Sequence, residues 1–241
     1  MRRKVLTSTH LKIIAIAAMF IDHMVVGTSI ISHDTLWGMV LRVPGRVTAP
    51  IMCYMVAEGF HYTSNRKKYL RRLLLFALLS HIPYNLCMGT TFPVTGVMWT
   101  LSLGLMALAI AKRDGLNRCL KVVGVGVCSI LSYYANWNFV GVLWIVFFGI
   151  YRGDFKKQMI SFCAIGFLLH IVPTFTYLDY GLRHEVMPHW YQVFIFAAVP
   201  LLWLYNGKKG NGTPWLSKFF YWFYPMHLLL IYFINLSIRR I

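Results

Sequence analysis

Lys12 and His23 lie eleven residues apart in a stretch that is otherwise almost wholly apolar. In a helix, eleven steps of about 100° end roughly 20° past three full turns, so both side chains share one face. They would stand roughly 16 Å apart along the axis. A cation at one end of that line and an imidazole farther in suit acyl transfer from coenzyme A. That molecule has a polyanionic nucleotide and a long thin arm ending in a thioester. Cationic side chains at a rim would hold the phosphates by charge-assisted hydrogen bonds. A neutral imidazole near pH 7 would take the proton of an attacking amine or hydroxyl. A cation or amide must also offset the charge that develops on the carbonyl oxygen. Asp22 is turned about 100° from His23 and does not orient that ring. A basic group from another helix, Arg46 above all, is its expected partner.

Other polar side chains interrupt apolar stretches, where each is costly unless paired or hydrated. Glu58, His61, His81, Asn85, Tyr224 and His227 are such groups, and each is a candidate for function. Structural roles compete with that reading. His81 suits a helix–helix hydrogen bond, Glu58 with His61 an ion pair with Arg66, and Tyr224-Pro225 a kink. The run Arg66-Lys67-Lys68-Tyr69-Leu70-Arg71-Arg72 either anchors topology or joins Lys12 in meeting the nucleotide. No H-E-x-x-H or similar ligand spacing occurs, so no metal is expected. No serine-nucleophile elbow occurs either. Cys53, Cys87, Cys119, Cys128 and Cys163 form no C-x-x-C and read as small buried hydrophobes.

The elements that must position these groups are membrane spans. Of the 241 residues, 58% are apolar and 13% charged, against about 25% charged in a soluble domain. That excludes a water-soluble globule, a disordered chain and a disulfide scaffold. The expected fold is an all-α polytopic bundle of about nine spans, one domain over 1–241: Leu11–Ser32, Pro44–Tyr62, Tyr69–Cys87, Val97–Ala111, Leu120–Tyr134, Phe139–Tyr151, Met159–Pro173, Trp190–Tyr205 and Phe219–Ser237. The first follows Arg2-Arg3-Lys4, lacks an A-x-A site and reads as uncleaved. The net charge of +17 reflects loop asymmetry and anionic lipid, with no nucleic-acid partner. Alternate loops collect nearly all Lys and Arg, which implies a cytoplasmic N-terminus. The other side keeps only Arg42, Arg46, Arg183, Arg239 and Arg240. Its longest loop, about Thr174 to His189, carries Asp179, Arg183, His184 and Glu185. The inner loop Asn206 to Lys218 is Gly-rich and expected to be mobile.

Several blocks, taken in order, resemble the TraX family. They are Leu11-Lys12-Ile13-Ile14-Ala15 through Phe20-Ile21-Asp22-His23, Gly45-Arg46 with Pro50, and Ala57-Glu58-Gly59-Phe60 with Thr63, Asn65, Arg66, Lys67, Lys68 and Tyr69. Ser80-His81-Ile82-Pro83-Tyr84-Asn85 and Phe223-Tyr224-Pro225-Met226-His227-Leu228 complete the set. The Lys-x10-His spacing is also similar to the basic-x10-His motif of acyltransferase-3 membrane proteins. The resemblance implies a bacterial inner-membrane acetyltransferase using acetyl-CoA, its name-giving member resembling an acetylase of conjugative pilin. It implies His23 as base, Asp22 and Arg46 shaping the site, Glu58, His61, His81, Asn85, Tyr224 and His227 lining the substrate path, and Lys12, Arg66, Lys67, Lys68, Arg71 and Arg72 at the nucleotide. The acceptor is left open: a pilin-like peptide N-terminus, a glycan or a lipid. Competing classes are a proton- or ion-coupled transporter using Asp22, Glu58 and the histidines, and an assembly factor that binds a membrane peptide without chemistry.

Overall fold

The computed structural model describes residues 4–28, 30–32, 35–173 and 187–239, without the side chains of residues 187–189 and 214. Arg2, Arg3, Asp179, Arg183, His184, Glu185 and Arg240, named above, lie outside the described residues.

Within them the chain is helical and has no strand. Two isolated backbone bridges, Leu6 with Tyr205 and Thr95 with Ala135, join loop segments. Helix α1 spans Ser8–Gly27, opened by Thr7, whose hydroxyl accepts from the His10 amide while the His10 ring reaches back to Thr7. Helix α2, Leu36–Arg42, leads into a 3-10 turn, Pro44–Val47, and then α3, Thr48–Tyr62. Asn65 caps α4, Arg66–Leu79; a short α5, His81–Met88, ends at left-handed Gly89. Then come α6 (Val97–Ala111), α7 (Arg118–Leu131) and α8 (Asn138–Ile150). Asp154 caps α9, Phe155–Gly166, which continues as a π-helical turn, Phe167–Ile171. The 3-10 segment Met187–Ala197 runs into α10, Ala198–Trp203, and Pro214–Arg239 forms the long α11.

Two helices, Ser8–Gly27 and Trp215–Arg239, are long and apolar enough to cross a membrane; Val97–Ala111, Asn138–Ile150 and Trp190–Trp203 are shorter apolar helices. The third expected span is not continuous. Pro83 has no amide hydrogen for the carbonyl of Leu79, and its ring crowds that carbonyl. The helix stops there, and buried Ser80 turns its hydroxyl onto the Phe76 carbonyl. His81 therefore begins a new helix rather than lying deep in a long one. The first span also ends early, at Gly27, so Asp22 and His23 occupy its last two turns instead of its middle.

Leu11, Ala15, Ile51, Trp144, Phe148, Phe162, Ile195, Leu228 and Ile231 form the centre of one continuous core. Helices α6 and α8 approach closely because Gly104 and Gly149 leave room for Ile145 and Leu108. Outside that core, Trp37, Ile82, Phe92, Val122, Ile130 and Trp215 stand exposed. So much apolar surface is what lipid tolerates and water does not.

Candidate functional site

Polar groups gather at both ends of α1. At the Gly27 end, Asp22 is buried and ion-paired twice. Arg42 Nε reaches its Oδ1 at 3.0 Å, and Arg46 Nη2 reaches its Oδ2 at 2.7 Å. The Asp22–Arg46 pair is the one expected from the sequence; Arg42 was missed, although it stands one helical turn before Arg46. Gly45 makes the approach possible, since a Cβ there would run into the Asp22 side chain. Arg46 Nη1 donates to Gln192 Oε1 at 3.1 Å, and His170 Nε2 lies 3.3 Å from the same oxygen. The Arg46 guanidinium also sits over the rings of Tyr191 and Trp137. These contacts fix α1 against the 3-10 turn and the 187–197 segment.

One step round the helix, His23 faces α11. Its Nδ1 is 2.8 Å from His227 Nε2. The two rings are 9° from parallel with centres 5.1 Å apart, so the contact runs along in-plane lone-pair directions. His227 Nδ1 lies 2.7 Å from the Phe223 carbonyl. Tyr224 presents its ring edge to His23 and accepts from the Val97 amide through its hydroxyl at 3.3 Å. His23 is 7% exposed and His227 3%.

At the Ser8 end is a cavity of about 750 Å³. Lys12, Arg72, Lys209 and Lys218 are among its lining residues, as are Tyr69, Phe220 and Tyr221; Met52, Met55, Met98 and Leu101 give it an apolar portion. Among the described residues, no aspartate or glutamate lines it. Lys12 lies over the Phe220 ring and Arg72 over Tyr69 and Tyr221. Lys209 and Lys218 come from the segment expected to be mobile. That segment is instead bonded to the start of α1: Ser8 and Thr9 donate to the Lys208 and Lys209 carbonyls, and Asn206 donates to Leu6. The Tyr62 hydroxyl donates to Gly207. Gly210, at φ 83°, lies so close to Thr7 that a side chain would collide.

Of the six cations expected at a nucleotide, Lys12 and Arg72 line this cavity and Arg66, Lys67, Lys68 and Arg71 do not. Arg66 lies over Phe60 and donates to its carbonyl. The two imidazoles do not line the cavity either. Phe223 stacks on His227 one turn beyond Phe219 and Phe220, and His227 stands about 9 Å along α11 from Tyr221. The cavity therefore does not extend to His23 along the line that the helical spacing suggested.

Glu58 pairs with Arg152, Oε1 to Nε at 2.9 Å, not with Arg66. The loop after α8 comes back to the end of α3, a proximity that spacing could not give. Burial works against the Arg152 charge, but the Glu58 hydrogen bond and attraction prevail and hold its pKa above the ordinary guanidinium range. His61 Nε2 contacts the Gly149 carbonyl at 3.3 Å. His81 Nε2 lies 3.4 Å from the Asn85 amide, Asn85 accepts from Thr90, and His81 Nδ1 is buried without a partner. None of these four lines the cavity.

Residues 7–235 match the family described as TraX protein. A Dichelobacter nodosus protein described as "Probable fimbrial assembly protein FimC, serogroup H1" is 32% identical over 235 residues, covering 92% of each chain. No solved structure matches the chain.

Proposed function

We propose that this chain, which belongs to the TraX family, is a multi-pass acetyltransferase of the bacterial inner membrane acting in pilus or fimbrial assembly. It takes acetyl from cytosolic acetyl-CoA and passes it to an amine or hydroxyl of a pilin-like peptide, a glycan or a lipid. The fimbrial assembly role named for its relative supports the setting. One observation carries the chemistry: four cations converge on a mostly apolar cavity with no carboxylate among its described lining residues. Charge that is not neutralised from within favours an anionic ligand. Aromatic rings at the same rim suit a nucleotide base, and the apolar depth suits a slender arm.

In this reading the Ser8 end is cytosolic, as the positive loops require, and the bundle crosses about nine times. The shorter helices, about 20 Å long, cross by packing against their neighbours and by letting long basic side chains reach the interface. Lys12, Arg72, Lys209 and Lys218 hold the phosphates. Asp22 and Arg46 shape the site by fixing α1, and His23 is the base. The acetyl-bearing arm must pass Phe223 and Tyr224 to reach it. Pro225 leaves the Tyr221 carbonyl without its helical partner, so α11 yields most easily at that turn. Proton-coupled transport is less well supported, because Asp22 and Glu58, the carboxylates it would use, are both ion-paired.

Purified protein in nanodiscs, given labelled acetyl-CoA and a membrane extract, is expected to move label onto one acceptor, and His23→Ala to abolish that transfer while the protein stays folded. Coenzyme A alone should raise the melting temperature, and Arg72→Ala should remove most of that rise. Ion flux into liposomes with no consumption of acetyl-CoA would replace this reading with transport.

A further inference from the structure

Two hydrogen bonds decide which nitrogen of His23 carries a proton. A carbonyl oxygen can only accept, so the His227 Nδ1 facing Phe223 at 2.7 Å is protonated. His227 is buried among Phe20, Phe223, Tyr224 and His23, with no carboxylate of the described residues in contact. A second proton there would put an uncompensated charge in an apolar site. Its Nε2 therefore offers a lone pair. The partner at 2.8 Å, His23 Nδ1, must be the donor. That leaves the lone pair of His23 on Nε2, which makes no hydrogen bond with the described residues.

We infer that His227 is a positioning residue: it holds His23 in the Nδ1–H tautomer and so turns a lone pair at Nε2 toward an incoming proton. The geometry makes the pair asymmetric. Both His227 nitrogens are committed, one to Phe223 and one to His23, so His227 cannot itself be the first base. Asp22 cannot take over the orienting role, because both its oxygens are engaged by arginines. The arrangement follows the general logic of a base oriented by a third group, with an imidazole in place of the usual carboxylate.

The inference deepens the acetyl-transfer reading. It rests on that reading for its chemistry but not for its geometry. As the acceptor N–H or O–H attacks the thioester carbonyl, its proton moves to His23 Nε2. When the carbon–sulfur bond breaks, that proton passes to the departing thiolate, and His23 returns to its starting tautomer.

The test labels histidine with nitrogen-15 in the full chain in nanodiscs and reads the imidazole nitrogen shifts, using His23→Asn to assign the His23 signals. The unaltered protein is expected to show His23 protonated at Nδ1 and bare at Nε2. In His227→Ala the signals should move to the Nε2–H form that free imidazole prefers. In His227→Gln, whose side-chain carbonyl replaces the lost acceptor, they should stay near the original. Alongside, kcat for acetyl transfer should fall at least a hundredfold in His227→Ala with KM for acetyl-CoA unchanged, and recover at least tenfold in His227→Gln. An Nε2–H tautomer in the unaltered protein overturns the inference even if the Ala variant fails to fold. So does a tautomer indifferent to position 227. Correct tautomers without transfer to any acceptor would leave the positioning intact and remove the proposed function instead.

Discussion

At the Gly27 end of α1, Arg42 and Arg46 close on a single carboxylate at 3.0 and 2.7 Å, and the group is buried. At the Ser8 end, Lys12, Arg72, Lys209 and Lys218 surround open space with no carboxylate among the described lining residues. The same kind of side chain is thus used in two ways. Buried guanidinium groups need their counter-charge within the fold, because an unpaired charge out of water costs several kcal/mol. Cations left facing a cavity repel one another and depend on solvent or a ligand for relief. The first end should therefore answer to mutation as a change in stability, and the second as a change in binding.

The largest effect expected is at Asp22. Asp22→Ala leaves the buried Arg46 and the partly buried Arg42 without their carboxylate, and about 3–5 kcal/mol of stability should be lost. Thermal unfolding in mixed micelles would measure it; a melting temperature close to that of the unaltered protein would show that the arginines find other partners. Gly45→Ala comes next. Its methyl group collides with Asp22, and about 1–3 kcal/mol should go with the resulting shift. An unchanged melting temperature there would mean that the turn moves aside freely. Arg72→Ala should do the opposite of both. Stability should hold, while calorimetry shows coenzyme A bound roughly tenfold more weakly, the loss of one charged hydrogen bond. Added salt should weaken the same binding without lowering the melting temperature. The smallest effect is at Lys67, which is exposed and off the cavity. Lys67→Ala should change both quantities by less than about 0.5 kcal/mol, and a tenfold loss of binding there would widen the ligand site beyond the cavity.

Asp22 with Arg46 was legible because a buried acid must find a base and few bases lie in apolar stretches. Arg72 was partly legible. The charge run was noticed for its density, yet only the residues sharing the face of Tyr69, Leu73 and Phe76 turn to the cavity, a 3.6-residue period that was there to be read. His23 with His227 was not legible: they are 204 positions apart, and helix order along the chain does not say which helices become neighbours. Lys209 and Lys218 were hidden by their glycine-rich setting, which suggests freedom unless the partners of its backbone are known. The break at Ser80 was written in Pro83, but hydropathy averages over a proline that hydrogen bonding cannot ignore.

The first helix meets its two essential neighbours, His227 and the Lys209 segment, only across almost the whole length of the chain. During synthesis it must wait in the bilayer with an unmatched imidazole and half a basin while every other described element is made. Neither the cationic cavity nor the paired rings are complete until Pro214–Arg239 arrives. A chain cut short before that point lacks both His227 beside His23 and Lys218 at the cavity, so the wiring of the fold leaves an incomplete product with neither feature.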